Sequence, residues 1–490
     1  MVGPDVFFFL NERRRIATAR DWQPANVAKL WVYNLHYFDD LNAEGSEHRV
    51  GWHEALLDRW VVENPPGDGV GWEPYPVSRR IVNWVKWAAR GHELAPQCRA
   101  SLAVQARWLM NRLEYHILGN HLFVNAKALV HAGLFFEGSE AERWRARGLA
   151  LLAREVPEQV LSDGGHFERS TMYHAAALED LLDLVNLLGT FGETPPLEWL
   201  DAIARMRSWL RVLTHPDGEI AFFNDAAFGI SPTSAVLESY AARLGLPADS
   251  ATDPDLAVLE ASGYVRAVAG PAYLICDCAP IGPDYMPGHA HADTLSFELS
   301  LGGQRVLVNS GTSLYGADEE RQRQRGTEAH NTVVVDDENS SEVWAGFRVA
   351  RRARAHLRAA RRTAQSILIE ASHDGYRRLP GRVVHERSWE IDSESLRIED
   401  RVTGRFRSAE ARFHLHPSVS ATLVAPLEVA LHWPGGTVKA LFHGAGSIDV
   451  RRSTWHPGFG IVVPNTVVVA SFASPTLVCR LFWGATPVSV

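Results

Sequence analysis

The hydrophobic period changes once along the 490 residues, and that change constrains the fold more than any other feature of the chain. From about Ser78 to Leu244 the apolar residues recur at helical spacing. One set is Ile81, Trp84, Val85 and Ala88; later sets are Leu102, Ala106, Leu109, Leu113, then Leu178, Leu181, Leu182, Val185, Leu188, then Ile203, Met206, Leu210, Leu213. Short polar breaks ("GNH", "SDGGHF", "GETPPLE") separate them, as in αα-hairpins stacked into a solenoid or closed into a toroid. Beyond "GLPADSATDPD", Gly245 to Asp255, which reads as a linker, the period becomes two in "GYVRAVA", "AYLICDC", "QRVLVNS", "NTVVVDD", "SILIEAS" and "LRIEDRV". Many strands with no helical pattern between them favour an antiparallel sandwich. The expected architecture is an α+β multidomain chain: an α/α toroid over residues 1–250, then an antiparallel β-sandwich over 256–490.

Composition narrows the partners. With 46% hydrophobic and 22% charged residues and no low-complexity run, the chain reads as a globular protein with ample core. A net charge of −9 gives no general attraction to polyanions, so nucleic acid is not an expected partner, and an anionic ligand must meet a local basic site. Four cysteines form neither a disulfide framework nor a zinc-finger pattern; Cys276 and Cys278 read as packing residues of one strand. No apolar run reaches the ~20 residues of a membrane span. In "MVGPDVFFFLNERRR" the arginines follow the apolar cluster, the reverse of a secretory signal. The chain as it stands is therefore expected in the cytoplasm, or in the periplasm or outside the cell if a leader has been removed.

Chemistry is sought where polar residues interrupt these patterns. If "GHAHADTLSFELSL", Gly288 to Leu301, is a strand, one face carries His289, His291, Asp293, Leu295, Phe297, Leu299 and Leu301. Burying that face aims two imidazoles and a carboxylate inward, at about 1–3 kcal/mol each if unpaired. In "GNHLFVNAKALVHAGLFF", Asn120 and His121 stand at a helix start, where Asn120 reads as an N-cap. "SDGGHFERSTMYHAAALEDLLDL" leads His166, Glu168 and Arg169 through Tyr173 and His174 into a helix. "THPDGEIAFFNDAAFGI", with His215, Asp217, Asn224 and Asp225, reads as an inter-helix loop with Asx turns. Asn309, Tyr315, Arg325, His330 and Asn331 stand in "VLVNSGTSLYG" and "RQRQRGTEAHNTVVVD". The run "FRVARRARAHLRAARR", Phe347 to Arg362, reads as a solvated, charged sheet edge, with binding of an acidic glycan as the alternative.

In this order, "NHLFVNAKAL", "GGHFERSTMYH", "HAHAD", "VNSGTSLYG" and "AHNTVVVD" resemble the heparinase II/III group of polysaccharide lyases, from about Leu30 to Arg354. The resemblance implies an incomplete (α/α) toroid followed by an antiparallel β-sandwich, with β-elimination on a uronic-acid polysaccharide in a cleft between the two. That reaction requires neutralisation of the C5 carboxylate, a base for the adjacent proton, and an acid for the leaving oxygen. By similarity Asn120 and His121 neutralise the carboxylate, Tyr173 is the acid and shares the role of base, and His289 is the other base or a donor. Arg169, His174, Tyr315 and Arg325, from the same motifs, are expected to bind substrate. Relatives hold a metal, commonly zinc, through two histidines and an aspartate. His291 and His330 match the histidines, but Asn309 stands where the aspartate is expected, and a neutral amide is a poor zinc ligand. Asp293 is the substitute ligand or a partner to an imidazole; without metal these residues form a hydrogen-bonded network. Two other functions compete: a toroid glycoside hydrolase using two of Glu168, Asp217 and Asp225, and a non-catalytic glycan-binding or exopolysaccharide-assembly protein. Heparan sulfate, hyaluronan, alginate and a capsular polysaccharide all offer the uronate.

Overall fold

The computed structural model describes residues 1–247 and 254–483, so most of the expected linker, residues 248–253, lies outside the described residues. The chain divides into two compact units, one comprising Met1–Gln159 and Asp180–Trp199, the other Val160–Glu179 and Leu200–Val490. Among the described residues no helix is long and apolar enough to cross a membrane.

The first unit is helical, as the 3.6-residue period requires. Its helices include Lys29–Tyr37, Val50–Glu63, Pro74–Ala89, Pro96–Met110, Gly119–Phe135 and Ser139–Gln159. Proline opens two of them, Pro74–Ala89 and Pro96–Met110, where its missing N–H costs no intrahelical bond. The apolar faces meet around Trp22, Trp31, Trp60, Trp84 and Trp87, all essentially inaccessible. Gly119–Phe135 and Ser139–Gln159 come together through glycines. A Cβ on Gly148 would lie 2.7 Å from the Ala126 carbonyl oxygen, and one on Gly133 would lie 2.6 Å from Arg145. A buried charge cluster ties the same region: Lys127 Nζ lies 2.6 Å from Asp180 and 2.7 Å from Asp183, which also takes Lys86 at 3.0 Å.

The second unit is dominated by antiparallel sheets, as the two-residue period predicts. The largest orders its strands Ala355–Arg362, Ile367–His373, Val384–Ile391, Ser395–Thr403, Thr476–Phe482, Gly436–His443, Glu428–Trp433, Ser420–Ala425. A second runs Ala445–Trp455, Val463–Phe472, Ala409–His414, Val333–Val335; a third runs Leu256–Leu259, Tyr264–Ala269, Ala272–Asp277, Phe297–Leu301, Gln304–Leu307. Their apolar faces share one core that includes Cys276, Cys278, Phe297, Trp389 and Phe413. The arginine-rich run ends in the edge strand Ala355–Arg362, whose outward arginines pair with Glu386 and Glu370, as a charged edge should.

Two local expectations are corrected. Only Phe297–Leu301 of the "GHAHADTLSFELSL" stretch is a strand; residues 288–296 form turns and irregular backbone. Leu295 has φ +63°, outside the β region, and Arg387 fixes its carbonyl at 2.8 Å, so the alternation of faces stops there. Asn120 is not an N-cap: the helix starts at Gly119, after Leu118 and Gly119 turn with φ +66° and +54°.

Candidate functional site

In the second unit, the first turn of the helix Thr171–Thr190, the irregular segment around His289 and the irregular stretch before the helix Glu319–Arg325 bring three aromatic side chains together. The rings of Tyr173 and His289 stack with centroids 3.9 Å apart, and the Tyr173 and Tyr315 hydroxyls lie 2.9 Å apart. His289 keeps 15% of its side chain exposed, while its Nδ1 lies 2.9 Å from Oδ2 of the fully buried Asp225. Bonding to a carboxylate puts the proton on Nδ1 and leaves Nε2 with a lone pair, 3.7 Å from Glu168 Oε2. This part of the backbone is held in unusual shapes: Arg169 and Asn224 have φ +59° and +57°. Asn224 Nδ2 donates to the Arg169 carbonyl at 3.0 Å, Tyr264 donates to the same carbonyl at 2.7 Å, and Asn224 Oδ1 receives the His291 N–H at 3.0 Å. Strain of this kind, about 1–3 kcal/mol per residue, persists only where neighbours over-determine it.

Asp225 is the hub behind the site. Its Oδ1 takes His291 Nε2 at 2.9 Å and Thr312 Oγ1 at 3.2 Å, and Arg321 donates to both oxygens. Burial pushes the carboxyl up, but the Arg321 guanidinium and the two imidazole bonds outweigh it and hold Asp225 well below the usual range. Tyr173 moves the other way: burial, then Tyr315 and Asp225, raise its phenol well above 10, so it is a proton donor at neutral pH. In the sequence Asp225 reads as an Asx-turn residue or hydrolase carboxylate, and Arg321 stands in no motif that marks it. A lone Asp in a loop carries no spacing signal, and its partner lies 96 residues away.

In the first unit, His121 is half-buried and its Nδ1 lies 3.0 Å from Glu114 Oε1. Asn125 donates to Glu114 Oε2 at 2.9 Å and accepts the Glu114 N–H at 2.9 Å, locking the turn that precedes the helix. Tyr75 lies beside the His121 ring at 4.5 Å, and Asn120 is half-buried in the first turn. Glu114 carries no sequence signal because it sits in an irregular stretch, seven residues before its partner.

Three residues expected to bind substrate are instead committed to the scaffold. His174 is fully buried, accepting from the His166 N–H, bonding the Met206 carbonyl at 2.9 Å and stacking on Trp209 at 4.2 Å. Arg325 is fully buried with its guanidinium on the carbonyls of Ala290, Ala345 and Arg348. Arg169 sends Nε to the Ser262 carbonyl at 3.0 Å and Nη1 to that of Phe167 at 3.2 Å. Tyr315 alone of the four stays half-exposed beside His289, with ring centroids 5.9 Å apart.

The residues matched to a zinc site supply two imidazoles and no third ligand. His291 Nδ1 and His330 Nε2 are 3.3 Å apart, and Asp225 holds the other nitrogen of His291. Asn309 uses its amide fully, accepting from Asn331 N at 3.1 Å and donating to the Phe222 carbonyl at 2.9 Å. Asp293 accepts from Asn224 N at 2.9 Å, and burial pushes its carboxyl up. This donor set does not fit a zinc ion held by three protein side chains, and among the described residues no group of three or more potential ligands gathers elsewhere.

A helical unit and an antiparallel β-rich unit, carrying His121 with its carboxylate and a tyrosine–histidine–aspartate cluster respectively, define a toroid-plus-sandwich protein. Comparison with known families agrees: "Heparinase II/III N-terminus" matches residues 44–245 and "Heparinase II/III-like, C-terminal" matches 251–478. The chain belongs to the heparinase II/III-like family. It is 25% identical to "FtsZ-localized protein C" of Caulobacter vibrioides across 94% of this chain and 83% of that protein. It is 28% identical to the heparin-sulfate lyase of Bacteroides stercoris across 60% of this chain and 51% of the lyase, so the match spans about half of that relative's length. Among solved structures, heparinase III superposes with a TM-score of 0.78 at 18% identity, covering 94% of this chain and 79% of the other, a likeness of fold.

Proposed function

We propose that this protein is a polysaccharide lyase that cuts an acidic polysaccharide beside a uronic acid by β-elimination. The observation that carries the reading is the stack of Tyr173 on His289 with Asp225 behind it. Elimination needs a proton taken from C5 and one given to the glycosidic oxygen. The Nε2 lone pair of His289 suits the first task, and the protonated Tyr173 phenol suits the second. Proton removal at C5 turns His289 into an imidazolium that keeps Asp225 Oδ2 at 2.9 Å from its Nδ1. Neutralisation of the substrate carboxylate is assigned to Asn120 and His121, whose amide and ring N–H groups are suitable donors. Glycosaminoglycans, alginate and bacterial exopolysaccharides all carry the required uronate.

Glycoside hydrolysis fits less well, because it needs two carboxylates able to reach the scissile bond. Asp225 has both oxygens bound, and Asp217 pairs with Arg305 at 2.6 Å. A second reading, glycan binding without turnover, draws on the similarity to FtsZ-localized protein C over 94% of the chain. Incubation with a panel of uronic-acid polysaccharides separates the readings. A lyase generates the ultraviolet absorbance of a conjugated unsaturated uronate, a hydrolase generates reducing ends without it, and a binding protein is retained on the glycan and generates neither.

A further inference from the structure

The second unit carries a small hairpin that the proposed chemistry leaves unused. Val343–Trp344 pairs antiparallel with Arg348–Val349, in the register Val343 to Val349 and Trp344 to Arg348. Opposed residues share one face of such a ribbon. Val343 and Val349 pack with Ile281 and Ala290 in a cluster separate from the main core. Trp344 and Arg348 therefore share the other face, where both are exposed, Trp344 at 55%. Arg348 has no carboxylate partner among the described residues. An exposed indole beside an uncompensated guanidinium adds little to folding, since neither burial nor pairing is gained.

Nevertheless the hairpin is held firmly. Arg325 bonds the Ala345 and Arg348 carbonyls at 3.1 and 3.3 Å, Gln322 bonds that of Ala345, and Arg321 Nε bonds that of Gly346 at 3.1 Å. Gly346 permits the close seating, since a Cβ there would lie 2.4 Å from the Gly316 carbonyl oxygen. Arg321 is the same side chain that neutralises Asp225, and Phe347 at the tip has its ring 5.7 Å from that of His289. The hairpin is thus continuous with the site.

We infer that the Trp344–Arg348 face is a sugar-binding subsite. The indole stacks on the C–H face of a pyranose, and Arg348 pairs with a carboxylate or sulfate of the acidic polysaccharide whose reacting sugar meets Tyr173 and His289. The positive guanidinium complements that polymer, and the aromatic face suits a ring that a charge alone cannot orient. The inference rests on the lyase reading for the identity of the chain bound.

The test uses Trp344→Ala, Arg348→Ala and the conservative Trp344→Phe, none of which alters a group in the proton-transfer machinery. On a polysaccharide that the wild type cleaves, each alanine variant should raise KM roughly tenfold, as loss of one good polar or stacking contact implies. The kcat and Tm should stay unchanged, and Trp344→Phe should restore most of the KM. In parallel, retention on immobilised heparan sulfate, alginate and xanthan is measured against salt. Trp344→Ala should weaken retention at every salt concentration, Arg348→Ala chiefly at low salt. Retention lost in the variants, with no absorbance change from the wild type, keeps the subsite and removes the lyase reading. Unchanged KM and retention, or a wild type retained on none of the three, overturns the subsite.

Discussion

The β-rich unit contains the same four-residue network twice. His330 Nε2 meets His291 Nδ1 at 3.3 Å, and His291 Nε2 meets Asp225, which Arg321 neutralises. His373 Nε2 meets His385 Nδ1 at 3.2 Å, and His385 Nε2 meets Asp400 at 2.7 Å, which Arg387 grips with two bonds. Every member of the second network is buried, and Gly375 N occupies the remaining nitrogen of His373. Its Arg387 braces the carbonyls of Leu295 and Asn331, so it acts on the fold. The first network differs in one respect that matters: Asp225 has an additional client, His289, whose ring stays partly open and stacks on Tyr173. Two paired histidines with a carboxylate and an arginine are therefore a framework, and a partly exposed client makes one of them a candidate site. An inter-imidazole distance near 3.3 Å occurs in a pair whose outer nitrogen is occupied by a backbone N–H, so that spacing alone does not indicate zinc.

The sharpest way to break the comparison is to damage each aspartate. Asp225→Asn should lower turnover per folded molecule by about 10²–10⁴, since His289 loses its orienting carboxylate. Asp400→Asn should leave that turnover intact; equal losses from both would erase the distinction. Arg387→Met removes the guanidinium from the buried Asp400 and leaves it only His385, and should cost about 3–5 kcal/mol in urea unfolding while sparing activity of the folded fraction. Asp400 also sets a pH window. Burial raises its carboxyl, but Arg387 and His385 outweigh this and bring it to about 2, against about 3.9 unfolded. Its contribution is full above about pH 4 and is lost as the pH falls through about 2, so the stability gap between wild type and Asp400→Asn should close over that range. In the helical unit, Gly148→Ala should cost about 1–3 kcal/mol by forcing a methyl against the Ala126 carbonyl. The smallest effect is expected from metal: chelator should leave turnover unchanged. Asn309→Asp, which places an aspartate where the family resemblance expects one, should allow zinc uptake measurable by elemental analysis.

The change in hydrophobic period carried the fold, because core-facing residues repeat with the element that buries them: Leu178 to Leu188 in one helix, Ile367 to His373 in one strand. The motifs carried Tyr173, His289 and Tyr315 to one place. What stayed hidden was set by irregular backbone. The alternation from His289 to Asp293 imitates a strand, yet those residues lie in turns and irregular backbone pinned by Asn224 at His291, with Arg387 holding Leu295 just beyond. Arg325 and His174 looked like ligands for substrate because nothing in their neighbourhoods showed that distant carbonyls claim them. Asp225, Arg321 and Glu114 are joined to their partners by tertiary contacts that leave no periodic trace.

The most direct test of the central claim is the ultraviolet absorbance of an unsaturated uronate released from uronic-acid polysaccharides by the wild type and by Tyr173→Phe. The expected result is a steady rise with the wild type and, with a folded Tyr173→Phe, a rate lower by about 10²–10⁴. An undiminished rise in the variant, or new reducing ends without absorbance from the wild type, would contradict it.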